Sequence, residues 1–60
     1  MFSITYAIRV ASDKVIEHHL KKEFRTLEEA KEMANKNRLA VAYRIFDGNG
    51  YRVFSKRVER

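Results

Sequence analysis

His18 and His19 are the only histidines in the 60-residue chain, which has no cysteine. Imidazole is the side chain best suited to bind a metal or move a proton near neutral pH. Two imidazoles cannot close a zinc site alone, and the missing thiols remove disulfides and thiolate ligation. The pair lies in an alternating stretch that predicts a strand, where neighbouring side chains leave on opposite faces. His18 is therefore expected at the edge of the core and His19 toward solvent, with no joint action. Glu28, Glu29 and Glu32 mark a helix start and its exposed side, not a cleft that would split their pKa values. Ser3, Ser12 and Ser55 have no His and acid in predictable support. Asp47-Gly48-Asn49-Gly50 has the look of a calcium loop, but the remaining oxygen ligands and the distal Glu are missing. It also lacks the glycine spacing and following helix of a phosphate cradle. No catalytic residue, metal or cofactor is expected, and the chain is not read as an enzyme.

What remains for recognition is charge interleaved with aromatics. The net charge is +5. Residues 1–30 hold five basic and five acidic side chains, and residues 31–60 hold eight and three, so the whole excess lies in the second half. Such a field concentrates anionic partners, although a charge of this size also serves ordinary solubility. Arg44, Phe46, Arg52, Phe54, Lys56 and Arg57 fall in the basic half, and Arg9 stands in the first half.

Phe2, Ile4, Tyr6, Ile8 and Val10 are apolar and their odd neighbours are small or polar, which predicts a strand. Ser12-Asp13 predicts a turn, and Val15 to Phe24 a second strand, antiparallel to the first because the connection is short. On that strand Ile16, His18, Leu20 and Phe24 share a face that Lys22 interrupts. Thr26-Leu27-Glu28-Glu29 fits a capping box at the start of a helix of about three turns. Its apolar stripe is Leu27, Ala30, Met33 and Ala34, extending toward Asn37, and the two alanines allow close approach to a sheet. Leu39 to Phe46 and Tyr51 to Val58 predict a hairpin around the Asp47–Gly50 turn, and the last two residues are expected to fray.

These elements predict one α+β domain over residues 1–60. It is a ββαββ chain whose four-stranded, mainly antiparallel sheet carries one helix on one face. The strand order is 2-1-3-4 or 2-1-4-3, with the first strand interior. A hairpin loop of odd length, with a bulge at a glycine, would put Leu39, Val41, Tyr43, Ile45, Tyr51 and Val53 under the helix. It would leave Ala40, Ala42, Arg44, Phe46, Arg52, Phe54 and Lys56 on the open face. An even loop would set Arg52 and Lys56 beside the core, where unpaired charge is costly.

The segment Phe24-Arg25-Thr26-Leu27-Glu28-Glu29-Ala30, the helix after it, and Tyr43-Arg44-Ile45-Phe46-Asp47-Gly48-Asn49-Gly50 carry a resemblance. They are similar to small bacterial and phage ββαββ domains with no assigned activity, in which a Thr-x-x-Glu-Ala helix start precedes a hairpin with an Asp-x-x-Gly turn. The resemblance covers roughly residues 15–56 and implies the fold. In length and element order only, the chain also resembles the small phage antitoxin called discriminator of mRNA degradation. That likeness implies a stoichiometric inhibitor that binds a protein directly.

The leading expectation is thus a small non-enzymatic protein acting through protein–protein contacts, of phage-inhibitor or antitoxin type, with a partner protein or a second copy on Arg44, Phe46, Arg52, Phe54 and Lys56. The alternative is a basic domain binding RNA or DNA on its open sheet through Arg9, Arg44, Arg52, Lys56 and Arg57. The 60-residue core is thin, so self-association would add stability. No small-molecule substrate and no membrane partner is expected. The alternating N-terminus is unlike a signal peptide, so the expected location is the cytoplasm.

Overall fold

The structure is a computed structural model that describes residues 1–58; the expected fraying of the last two residues lies outside them. Strand β1 spans Ser3–Ala11 and β2 Lys14–His19, helix α1 spans Leu27–Asn35, and strands β3 and β4 span Ala40–Phe46 and Arg52–Arg57. The sheet has the order β2-β1-β3-β4 and every pairing is antiparallel. This is the ββαββ α+β architecture, with β1 interior.

Strict alternation along β1 explains its place. Ile4 and Tyr6 are buried under the helix, and Ile8 is partly buried beside them. Across from them on β3 lie Ile45, Tyr43 and Ala40. Ala30 and Ala34, at 0% and 1% exposure, bring α1 down onto these residues. The N-cap bond of the expected capping box is present: Thr26 Oγ1 accepts from the Glu29 amide at 3.2 Å, satisfying an N-terminal donor. At the other end Asn37 Oδ1 accepts from the amides of Leu39 and Ala40 at 2.9 and 3.2 Å, turning the chain into β3. The Tyr43 hydroxyl donates to Asn35 Oδ1 at 3.1 Å, so the ring is buried while its polar tip is satisfied.

Strand β2 is shorter than the pattern predicted. After Leu20 the run Lys21-Lys22-Glu23 leaves the ladder, and pairing resumes just ahead of β1, where Phe24 and Phe2 exchange backbone hydrogen bonds of 2.7 and 2.8 Å. Phe24 is buried there at 5% exposure. The helix has nine residues rather than three full turns.

Two bulges correct the expected faces of the second hairpin. On β3, Ala7 pairs with Ala42 but Ile8 with Ala40, so Val41 is an extra residue. Ala40 therefore turns under the helix and Val41 turns away from it. On β4, Phe46 pairs with Arg52 but Ile45 with Phe54, so Val53 is extra. The loop between Phe46 and Arg52 is odd in length, as expected, but the bulge sits at Val53 and not at a glycine. Everything after Val53 changes face. Of the six residues expected beneath the helix only Tyr43 and Ile45 are buried; Leu39 and Tyr51 are 74% and 71% exposed. Among the described residues no helix is long and apolar enough to cross a membrane.

Candidate functional site

The sheet face away from the helix is assembled by register. Ser3, Thr5, Ala7 and Arg9 come from β1, and Val15, Glu17 and His19 stand beside them on β2. Ala42, Arg44 and Phe46 come from β3, and Arg52, Ser55 and Arg57 from β4. Among the described residues, four arginines and one carboxylate thus share the strands of one face.

The expected recognition residues divide. Arg44, Phe46 and Arg52 occupy the open face together, as do Arg9 and Arg57. Phe54 and Lys56 do not, because the extra Val53 places them opposite Ile45 and Tyr43 on the helix side. There the Phe54 ring lies 6.0 Å from the Tyr43 ring, and Lys31 Nζ from the helix sits 4.2 Å above it. A cation over an aromatic face is favourable, so Phe54 serves the edge of the core. The expected surface pair of phenylalanines reduces to Phe46, and Ser55 and Arg57 take the places expected for Phe54 and Lys56.

The arginines differ in what they meet. Arg44 is paired with Glu17 across β1, their side chains 37% and 53% exposed. An exposed pair of this kind contributes about 0–1 kcal/mol and yields readily to a competing anion. Arg9, Arg52 and Arg57 are exposed and make no ion pair among the described residues. Between Arg44 and the β2 edge, Thr5 Oγ1 and His19 Nδ1 share a hydrogen bond at 2.7 Å, and Thr5 is 3% exposed. His18 pairs with Tyr6 and His19 with Thr5, so the two imidazoles leave on opposite faces.

The face also has relief. Ala7 and Ala42 are paired, and longer side chains surround them. The result is an open hollow of about 560 Å³ over the two alanines, lined also by Arg9, Arg57, Val15, Val41 and Val58. Sequence reasoning missed this hollow, since the Ala7–Ala42 pairing depends on a register that no local pattern reveals.

The Asp47–Gly50 segment is committed to its turn. Asp47 Oδ1 accepts from the amides of Asn49 and Tyr51, both at 2.9 Å, and the Asp47 carbonyl accepts from the Gly50 amide at 3.1 Å. Gly50 has φ +86°. Among the described residues no three metal-ligating side chains cluster. No family model, no curated protein and no solved structure matches the chain.

Proposed function

We propose that this chain is a small non-enzymatic binding protein whose open sheet face takes single-stranded nucleic acid. The observation that carries the reading is the placement of Arg9, Arg44, Arg52 and Arg57 on one face, opposed among the described residues by Glu17 alone. Arginines neutralise phosphates and release their counterions, and Phe46 on the same face offers a ring on which a base can stack. Hydroxyls of Ser3 and Ser55 on the face add neutral donors for phosphate or sugar. Bulge-driven removal of Phe54 from this face favours the polyanion over the phenylalanine-centred protein interface.

The test is fluorescence anisotropy with a labelled oligonucleotide across a salt series. Each neutralised phosphate of a single strand contributes about −0.7 to the slope of log K against log salt. Arg44→Ala with Arg52→Ala should flatten the slope by about 1.4 and weaken binding at every salt concentration. Glu17→Gln frees Arg44 and should tighten binding, a gain that misfolding cannot imitate. Absence of binding at low salt rejects the reading.

A protein partner, or a second copy of the chain, is the competing reading, favoured by a different region. Val10, Val15 and Ile16 at the β1–β2 tip and nearby Leu39 are 43–74% exposed. Exposed apolar side chains of this size suit contact with a protein surface. Light scattering of the free protein distinguishes it: a dimer that Ile16→Ser with Leu39→Ser converts to a folded monomer would favour this reading.

A further inference from the structure

We propose that the hollow between Arg9 and Arg57 seats one nucleotide of the bound strand, its base over Ala7 and Ala42 and its flanking phosphates on the two guanidinium groups. This rests on the nucleic-acid reading and specifies where on the face a base is received. Four features converge there. The Ala7–Ala42 pair supplies a methyl floor at the centre of the sheet, where any longer residue would fill the space. Val41 lines the hollow only because the β3 bulge turns it out from the helix side. Arg9 and Arg57 come from different strands and both line it, and neither makes an ion pair among the described residues. The volume of about 560 Å³ exceeds what a lone phosphate needs.

The chemistry selects the ligand class. A free phosphate would meet the arginines and leave the methyl floor and valines in water. An acidic peptide side chain would do the same. A nucleotide unit brings a flat ring of low polarity on its faces together with charge at both ends. The side chains of the alanines and valines carry no donor or acceptor, so the hollow reads the presence of a base and not its identity. Binding should accordingly tolerate any of the four bases. Phe46 lies four residues along β3 from Ala42, roughly 13 Å at the rise of a strand, so the hollow and the ring can receive different bases of one strand.

The experiment compares an all-thymine oligonucleotide with one of equal length and charge carrying abasic spacers, against the wild-type protein and Ala42→Leu. Covering about 40 Å² of base on an apolar floor is worth about fivefold in affinity. The wild type should therefore bind the thymine strand about fivefold more tightly than the abasic strand from this contact, with any contribution of Phe46 adding to it. Ala42→Leu fills the hollow without altering charge and should cut this preference by that factor, leaving the salt slope intact. Ala42→Val, a β-branched residue suited to a strand, serves if the leucine variant does not fold. Arg9→Ala with Arg57→Ala should weaken both strands. A preference undiminished in Ala42→Leu or Ala42→Val assigns the base contact elsewhere on the face and overturns the proposal while the open-face reading survives. Equal affinity of the wild type for both strands does the same. If neither strand binds at low salt, the nucleic-acid reading falls with it.

Discussion

Gly48 and Gly50 stand two residues apart in the same turn, yet they do different work. Gly50 has φ +86°, a region that L side chains enter at a cost of about 1–2 kcal/mol. Nothing lies within 4 Å of a Cβ built there, so the cost of Gly50→Ala is in the backbone alone. Gly48 has no such φ, and its added Cβ would meet the Met1 backbone nitrogen at 3.4 Å, an ordinary contact. Gly50→Ala should lower the urea midpoint by the equivalent of about 1 kcal/mol. Gly48→Ala should be near neutral, since it also restricts the unfolded chain. Equal shifts for the two would show that the turn conformation assigned to Gly50 is wrong. Asp47 binds the same turn through its carboxylate, so this residue is read as a turn former and not as a ligand.

At the scale of the element, strand β4 illustrates how one residue redirects a surface. With Val53 bulged out, Arg52 stays beside Phe46, while Phe54 and Lys56 return to the helix side and Ser55 and Arg57 go to the open side. Deleting Val53 would leave a regular ladder in which Arg52 still pairs with Phe46 and the next residue with Ile45. The deletion should therefore keep the Phe54 ring against Tyr43 and change stability by less than about 1 kcal/mol, because Val53 is 41% exposed. Contacts between the two rings in nuclear Overhauser spectra check this. Their loss, with Phe54 moved to solvent, would refute the register. The helix is simpler: its Thr26 cap and its two alanines are local properties and appear in the fold as the residue pattern predicts, although the helix is shorter than expected.

For the molecule as a whole the governing fact is a thin, unevenly covered sheet. Its extents are 34 × 19 × 17 Å, and its accessible surface of 4695 Å² exceeds the roughly 4,100 Å² usual for a chain of 7.1 kDa. The core is correspondingly small and depends on Tyr6 and Tyr43. Burial pushes both phenols above their ordinary value; for Tyr6 a hydrogen bond with Asn37 partly offsets this and the neighbouring Tyr43 adds to it. Below a pH of about 10 the phenols are neutral in both states and the linkage is silent. Above it the unfolded chain ionises first, so stability falls as pH rises through the raised folded values, at no more than about 2.7 kcal/mol per pH unit for the pair. In a Tyr51→Phe background, which leaves only these two tyrosines, phenolate absorbance should appear at higher pH in the folded protein than in the urea-unfolded chain. Coincident titration curves for the folded and unfolded chains would show that burial does not hold the two phenols up.

The sequence alone determined what short-range physics controls. Alternation set β1 and its interior place, the capping box set the start of α1, and the aspartate-glycine turn set the second hairpin. The same reading brought Arg44, Phe46 and Arg52 to one surface. It also placed Ala42 there with Arg9 beside it, and only the tertiary structure decided what β4 contributes beyond Arg52. A bulge leaves no periodic mark in residue types, because Val41 and Val53 are good strand residues whichever way they face. Their direction is fixed by which partner each neighbour finds across the ladder, a long-range choice that moved Phe54 under the helix edge, brought Arg57 round to Arg9, and opened the hollow over Ala7 and Ala42.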